Sequence, residues 1–150
     1  METLQWLKTH KGFKLNQQVF SEACEGGHLE ILKWLRSEGC PWNAWACSNA
    51  AWFGHLEASK WLRSEGCPWH EEVCSSAAEG GHLEVLKWLR SQNPPCPWNE
   101  EACSGAALDG HLEVLKWLRS EGCPWNEAMC RDSSNPNIVR WIDAQQSSSS

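Results

Sequence analysis

The sequence has no apolar run approaching the eighteen or so residues of a membrane-spanning helix, and its start, METLQWLKTH, lacks the charged-then-apolar pattern of a secretory signal. Both absences point to an intracellular chain, cytoplasmic or nuclear, without a membrane partner. Positive charge is scarce: 13 Lys and Arg stand against 19 Asp and Glu, for a formal net charge of -6. That balance ranks nucleic acid low among partners, because phosphate binding needs a concentrated basic face. There is no Gly-rich phosphate loop, and no carboxylate pair stands apart from a repeated pattern. Cysteine, by contrast, is abundant at nine. An odd number in a chain without a signal peptide fits free thiols in a reducing compartment better than a disulfide framework. With 41% hydrophobic and 21% charged residues, the chain has the composition of an ordered globular or repeat protein.

What fills the sequence is one phrase, written four times. The His of Gly-His-Leu-Glu falls at His28, His55, His82 and His111, at intervals of 27, 27 and 29 residues. The longer interval has a local cause. Where other copies read RSEGCPW, the third reads RSQNPPCPW, so two residues enter a Pro-rich connection at Asn93 to Pro95, where insertions are well tolerated. The period predicts repeats over 16–42, 43–69, 70–98 and 99–125, flanked by a capping half repeat at 1–15, a shortened capping repeat at 126–144 and a disordered tail at 145–150.

Each copy carries two helix signals and no strand signal. In the fourth, Asn99 is placed to cap a helix whose first turn holds Glu100 and Glu101. A second helix follows His111, with Leu112, Val114, Leu115, Trp117 and Leu118 spread over more than half its circumference. Gly122 and Pro124 end it. A two-helix unit apolar over so wide an arc cannot bury it alone, so the copies must stack. Stacking predicts one ladder of Trp34, Trp61, Trp88 and Trp117 and a second of Trp42, Trp69, Trp98 and Trp125, all eight in the core. The fold class is therefore all-α, an α-solenoid.

The second-helix phrase, together with the two alanines before it and the Gly-Cys-Pro-Trp-Asn after it, resembles the ankyrin repeat, across about residues 4 to 142. The missing half-dozen residues per copy fall where that family places its β-hairpin finger. The chain thus looks like the short, fingerless ankyrin-like repeats common in large DNA viruses, algae and oomycetes. The resemblance implies a non-catalytic scaffold or adaptor that binds protein, with no cofactor and no small-molecule substrate.

Two chemical readings of the repeated residues are set aside on spacing. Cys40/Cys47, Cys67/Cys74, Cys96/Cys103 and Cys123/Cys130 repeat a C-x6-C interval, wider than the two to four residues of common zinc pairs and short of a fourth ligand. No metal is expected. Cys103 and His111 could be drawn as nucleophile and base, but a catalytic constellation is singular whereas this one recurs. The histidines are expected to cap helices or join repeats by hydrogen bonds. The basic row Lys33/Arg36, Lys60/Arg63, Lys87/Arg90 and Lys116/Arg119 is accompanied by Glu30, Glu57, Glu84 and Glu113 and is expected to be a solvated, self-paired face.

Since repeated residues build the scaffold, function is sought where the copies differ. In repeat 2, Ala44-Trp45 replaces Glu-Glu, Trp52-Phe53 replaces Glu79-Gly80, and Ala58-Ser59 replaces Val85-Leu86. Trp45 and Trp52, seven apart, share one helical face. They either anchor a partner or fill space lost at Ala58 and Ser59. The expected protein-binding set is Trp45, Trp52, Phe53, Glu71, Glu72, Glu100, Glu101 and Leu108, suited to a basic or mixed protein partner on the first-helix and loop side. A structural, self-assembling role for the same patch is the alternative.

Overall fold

The computed structural model describes residues 15–42 and 45–148. The half repeat at Leu4 to Lys8 and most of the expected N-terminal cap, together with Ala44, lie outside the described residues. Among the described residues there are ten α-helices and no strand. They come in pairs: α1 (Gln17–Gly26) with α2 (Leu29–Ser37), α3 (Trp45–Trp52) with α4 (Leu56–Ser64), α5 (Glu71–Glu79) with α6 (Leu83–Ser91), and α7 (Glu100–Leu108) with α8 (Leu112–Ser120). A short α9 (Glu127–Arg131) and a longer α10 (Pro136–Ser148) close the array.

Three of the first helices, α1, α5 and α7, and the short α9 start at the same position of the phrase, where a polar side chain accepts an otherwise orphaned backbone N–H. Asn16 accepts from Val19, Asn99 from Glu101 and Asn126 from Met129, and in repeat 3 the Nδ1 of His70 accepts from Glu72. The first helices then turn small residues toward one another: Ala50, Ala51, Ala77, Ala78, Ala106 and Ala107 are wholly buried. Small side chains let backbones approach, and the consecutive first helices accordingly touch along their lengths while the second helices touch at fewer points. Behind that layer, Leu35, Leu62, Leu89 and Leu118 repeat one core position of the second helices.

Each second helix ends in a turn whose Cys N–H reaches back to that leucine, Cys40 to Leu35 O at 2.9 Å and Cys67 to Leu62 O at 3.0 Å. Cys96 to Leu89 O, also at 3.0 Å, shows that the two extra residues of repeat 3 loop out before the register is regained. All nine cysteines are free and buried. They act as small hydrophobes with a weak donor: Cys40, Cys96 and Cys123 point Sγ at the carbonyls of Asn16, His70 and Asn99, the capping residues of their own repeats.

The tryptophans do not form two separate ladders. The loop tryptophan of one repeat meets the helix tryptophan of the next, edge to face, as Trp42 with Trp61, Trp69 with Trp88 and Trp98 with Trp117, at centroid distances of 6.2, 6.0 and 6.2 Å. Trp125 meets Trp141 of the closing helix in the same way. Nor are all eight core: Trp34 is buried, and the other seven are partly buried against the core. A second correction concerns the arginines. Lys33, Lys60 and Lys116 pair with the glutamates three residues before them at 3.7, 3.4 and 3.6 Å, as a solvated face would. Arg36, Arg63, Arg90 and Arg119 instead lie over Trp42, Trp69, Trp98 and Trp125, at 3.8, 4.0, 3.7 and 4.4 Å from the ring centres. Each also donates to the loop carbonyl of Cys40, Cys67, Cys96 or Cys123. Their planar guanidinium groups are committed to holding the loops.

The tail also differs from expectation. The closing helix runs through residues 145–148, because Arg131 donates to Gln146 at 2.9 Å and pairs with Asp143 at 2.7 Å, while Gln146 also reaches Glu127. These contacts tie its last turns to α9 and continue the helix past residue 144.

Candidate protein-interaction face

None of the four histidines at the second-helix starts makes a side-chain cap, and three of them, His55, His82 and His111, join repeats. Nε2–H of His55 donates to Glu25 O of the preceding repeat at 2.7 Å, and that of His111 to Glu79 O at 2.9 Å. His82 bonds the Trp52 carbonyl. These rings carry the carbonyls that end the first helices, so they fix the geometry of the first-helix side. His111 is thereby committed away from Cys103, which is fully buried.

Burial holds His82 below the ordinary imidazole range, the bond to Trp52 opposes this, and His111 and His55 add to the lowering. Since the folded protein resists the proton, unfolded chains protonate first as pH falls below about 6.5, and stability is lost from there downward. The urea midpoint of the native chain is therefore expected to fall more between pH 7.5 and 5.5 than that of His82→Asn, Asn135 being the residue that takes this place in the closing repeat and reaches Gly110 O. Equal falls in both proteins would remove His82 as the cause.

Aligned by their caps, the first helices present two rows. The first-turn row reads Gln18, Trp45, Glu72 and Glu101; the last-turn row reads Glu25, Trp52, Glu79 and Leu108. Trp45, Trp52, Phe53 and Leu108 are 55%, 43%, 48% and 45% exposed. With Met129 of α9, they are all the exposed large hydrophobics among the described residues, and every one lies on or beside a first helix. Trp45 stands edge-on to His70 and Phe53 stacks on His55. Both tryptophans are exposed, whereas Ala58 and Ser59 are buried. The Ser59 hydroxyl there has no hydrogen-bond partner, at a position where repeats 1, 3 and 4 carry leucine.

Of the four glutamates expected at the site, Glu71, Glu100 and Glu101 are exposed and Glu72 is half-buried. They occupy first turns, where the helix dipole also favours them. Two further carboxylates join them. Glu79 lies across Gly105 of the next first helix, its Cγ at the place a Cβ would occupy. Burial, with Asp109 and Glu101 adding, holds its carboxyl above the ordinary range. The sequence reading missed Glu79, Asp109 and Met129. Register alignment alone does not single out Glu79, because repeat 1 has Glu25 at the same place.

No helix among the described residues is long and apolar enough to cross a membrane, and no three His, Cys, Asp or Glu side chains converge there as a metal-holding group. No curated protein matches the chain. Residues 20–63 match the family model described as ankyrin repeats (many copies), spanning α1 to most of α4. The matched segment and the pairs that follow it share one inter-repeat histidine and one tryptophan contact, so the described residues form a solenoid of ankyrin-like helical repeats.

Proposed function

We propose that the chain is a non-catalytic protein-binding module that engages its partner through the first-helix and loop side, with Trp45, Trp52, Phe53 and Leu108 as anchors and Glu71, Glu72, Glu100 and Glu101 around them. Ankyrin repeats are generally protein–protein interaction modules, and the family is generally non-catalytic. One observation carries the assignment to this side: the exposed large hydrophobics among the described residues all gather there. Aromatic side chains that a free protein leaves in solvent are the type that dominates binding energy once a partner covers them.

Trp45→Ala and Trp52→Ala are each expected to weaken the complex by about 2 kcal/mol or more while changing folding stability by no more than about 0.5 kcal/mol. Thermal melts beside a binding titration against a protein captured from the native cell measure both. A large melting loss with no separate loss of affinity would make the two side chains packing residues and end their assignment as anchors. Concentration-dependent sedimentation abolished by Trp45→Ala would instead favour self-assembly through the same patch.

A further inference from the structure

The first helices α1, α3, α5 and α7 contain no lysine and no arginine, whereas the four helices α2, α4, α6 and α8 each contain both. The acid on the first-helix side is correspondingly dense, with Glu22, Glu25, Glu71, Glu72, Glu79, Glu100 and Glu101 on the helices and Asp109 just beyond α7. The distribution is also ordered. Along the last-turn row, acid and apolar side chains alternate: Glu25, Trp52, Glu79, Leu108. Trp52 and Leu108 are exposed, and Glu79 lies between their helices with Asp109 and Glu101 close enough to oppose its ionisation.

Packed helices stand about 8–10 Å apart, so each step of this row is about 8–10 Å, which a polyproline-II chain rising about 3.1 Å per residue covers in about three residues, one turn, so that every third side chain faces the protein. Resting on the protein-binding reading of this face, we propose that its occupant is a cationic, extended peptide segment running along the solenoid. It carries a Lys or Arg opposite Glu79 between two apolar residues about six positions apart that seat on Trp52 and Leu108. The charge pattern selects against acidic partners as strongly as it draws basic ones, because an acidic segment would bring like charge against carboxylates that already crowd each other. A cation placed between Glu79 and Asp109 relieves that crowding.

The test uses four fluorescent twelve-residue peptides: one with leucines six apart and lysines between them, the same peptide with glutamine for lysine, the same with glutamate for lysine, and a lysine–serine peptide without leucine. The lysine–leucine peptide is expected to bind at least tenfold more tightly than the other three, and to lose most of that advantage between 50 mM and 500 mM salt. Glu79→Gln and Trp52→Ala, each checked for an unchanged thermal melt, should weaken it several-fold, while Lys116→Gln on the opposite side should not. Equal or tighter binding of the glutamine or glutamate peptide, still weakened by Trp52→Ala, would overturn the cationic assignment and leave the docking face standing. Binding of the lysine–leucine peptide that is insensitive to Trp52→Ala, or no binding by any of the four, would overturn both.

Discussion

Replacing Trp88 by alanine is expected to destabilise the chain by about 3 kcal/mol and to split its unfolding into two steps. Trp88 sits on the middle helix pair and meets Trp69 of the preceding repeat edge to face at 6.0 Å. Trp69 in turn lies under Arg63, whose Nη1 holds the Cys67 carbonyl at 3.5 Å. The substitution removes the partly buried indole, and it also removes the surface that keeps the Trp69 loop in place. In a solenoid each repeat touches only its neighbours, so stability depends on the interfaces as well as on the units. A weakened central interface therefore uncouples repeats 1 and 2 from repeats 3 and 4. Urea titration followed by circular dichroism should show a lower first midpoint and a second transition or a visibly reduced slope. A single transition with a loss under about 1 kcal/mol would show that the tryptophan contact is not what couples the repeats.

This contact also marks where sequence reasoning stops. The 27-residue period, the capping role of Asn99, the helical character of both halves and the looped-out insertion at Asn93 to Pro95 all follow from local chemistry repeated at fixed intervals, and the structure has each of them. Which tryptophan meets which does not follow. A period places Trp69 above Trp42 and Trp88 above Trp61 in the sequence, yet the loop of one repeat leans onto the helix of the next. Only the offset of the stack decides the pairing. The arginines were misread for the same reason: at i+3 spacing Lys60 and Arg63 look alike, and the ring lying under one of them is what separates them.

The candidate site was legible in the sequence as far as it consists of departures from the pattern. Trp45, Trp52 and Phe53 stand out because repeats 3 and 4 have other residues in their places. Glu79 escaped because Glu25 shares its place, so that the carboxylate looked like part of the scaffold. Its setting comes from a neighbour, since Gly105 leaves room for its chain to lie across α7. What a residue does on this face thus depends on the residue one repeat further along, a relation that a position-by-position comparison does not test.

The same relation between neighbours gives the second large expected effect. Gly66 and Gly81 both adopt left-handed backbone, with φ of 85° and 77°, so an alanine at either is strained by about 1–2 kcal/mol. The space around them differs. A Cβ on Gly66 would meet nothing within 4 Å, whereas one on Gly81 would come within 2.6 Å of Cε1 and Nδ1 of His111 in the next repeat. That imidazole is not free to yield, because its Nε2 holds the Glu79 carbonyl at 2.9 Å. Displacing it adds a lost hydrogen bond, about 1 kcal/mol, to the repacking of the ring. Gly66→Ala is therefore expected to cost about 1 kcal/mol and Gly81→Ala about 3 kcal/mol, read from urea midpoints under one set of conditions. The cause can be isolated by a cycle. In a His111→Ala background the ring is gone, and Gly81→Ala should cost only the backbone strain, again about 1 kcal/mol, leaving a coupling of about 2 kcal/mol between residues in different repeats. If Gly81→Ala costs the same with and without His111, the ring does not rest on that glycine, and the packing of histidine on glycine ceases to account for why the Gly-His pair recurs.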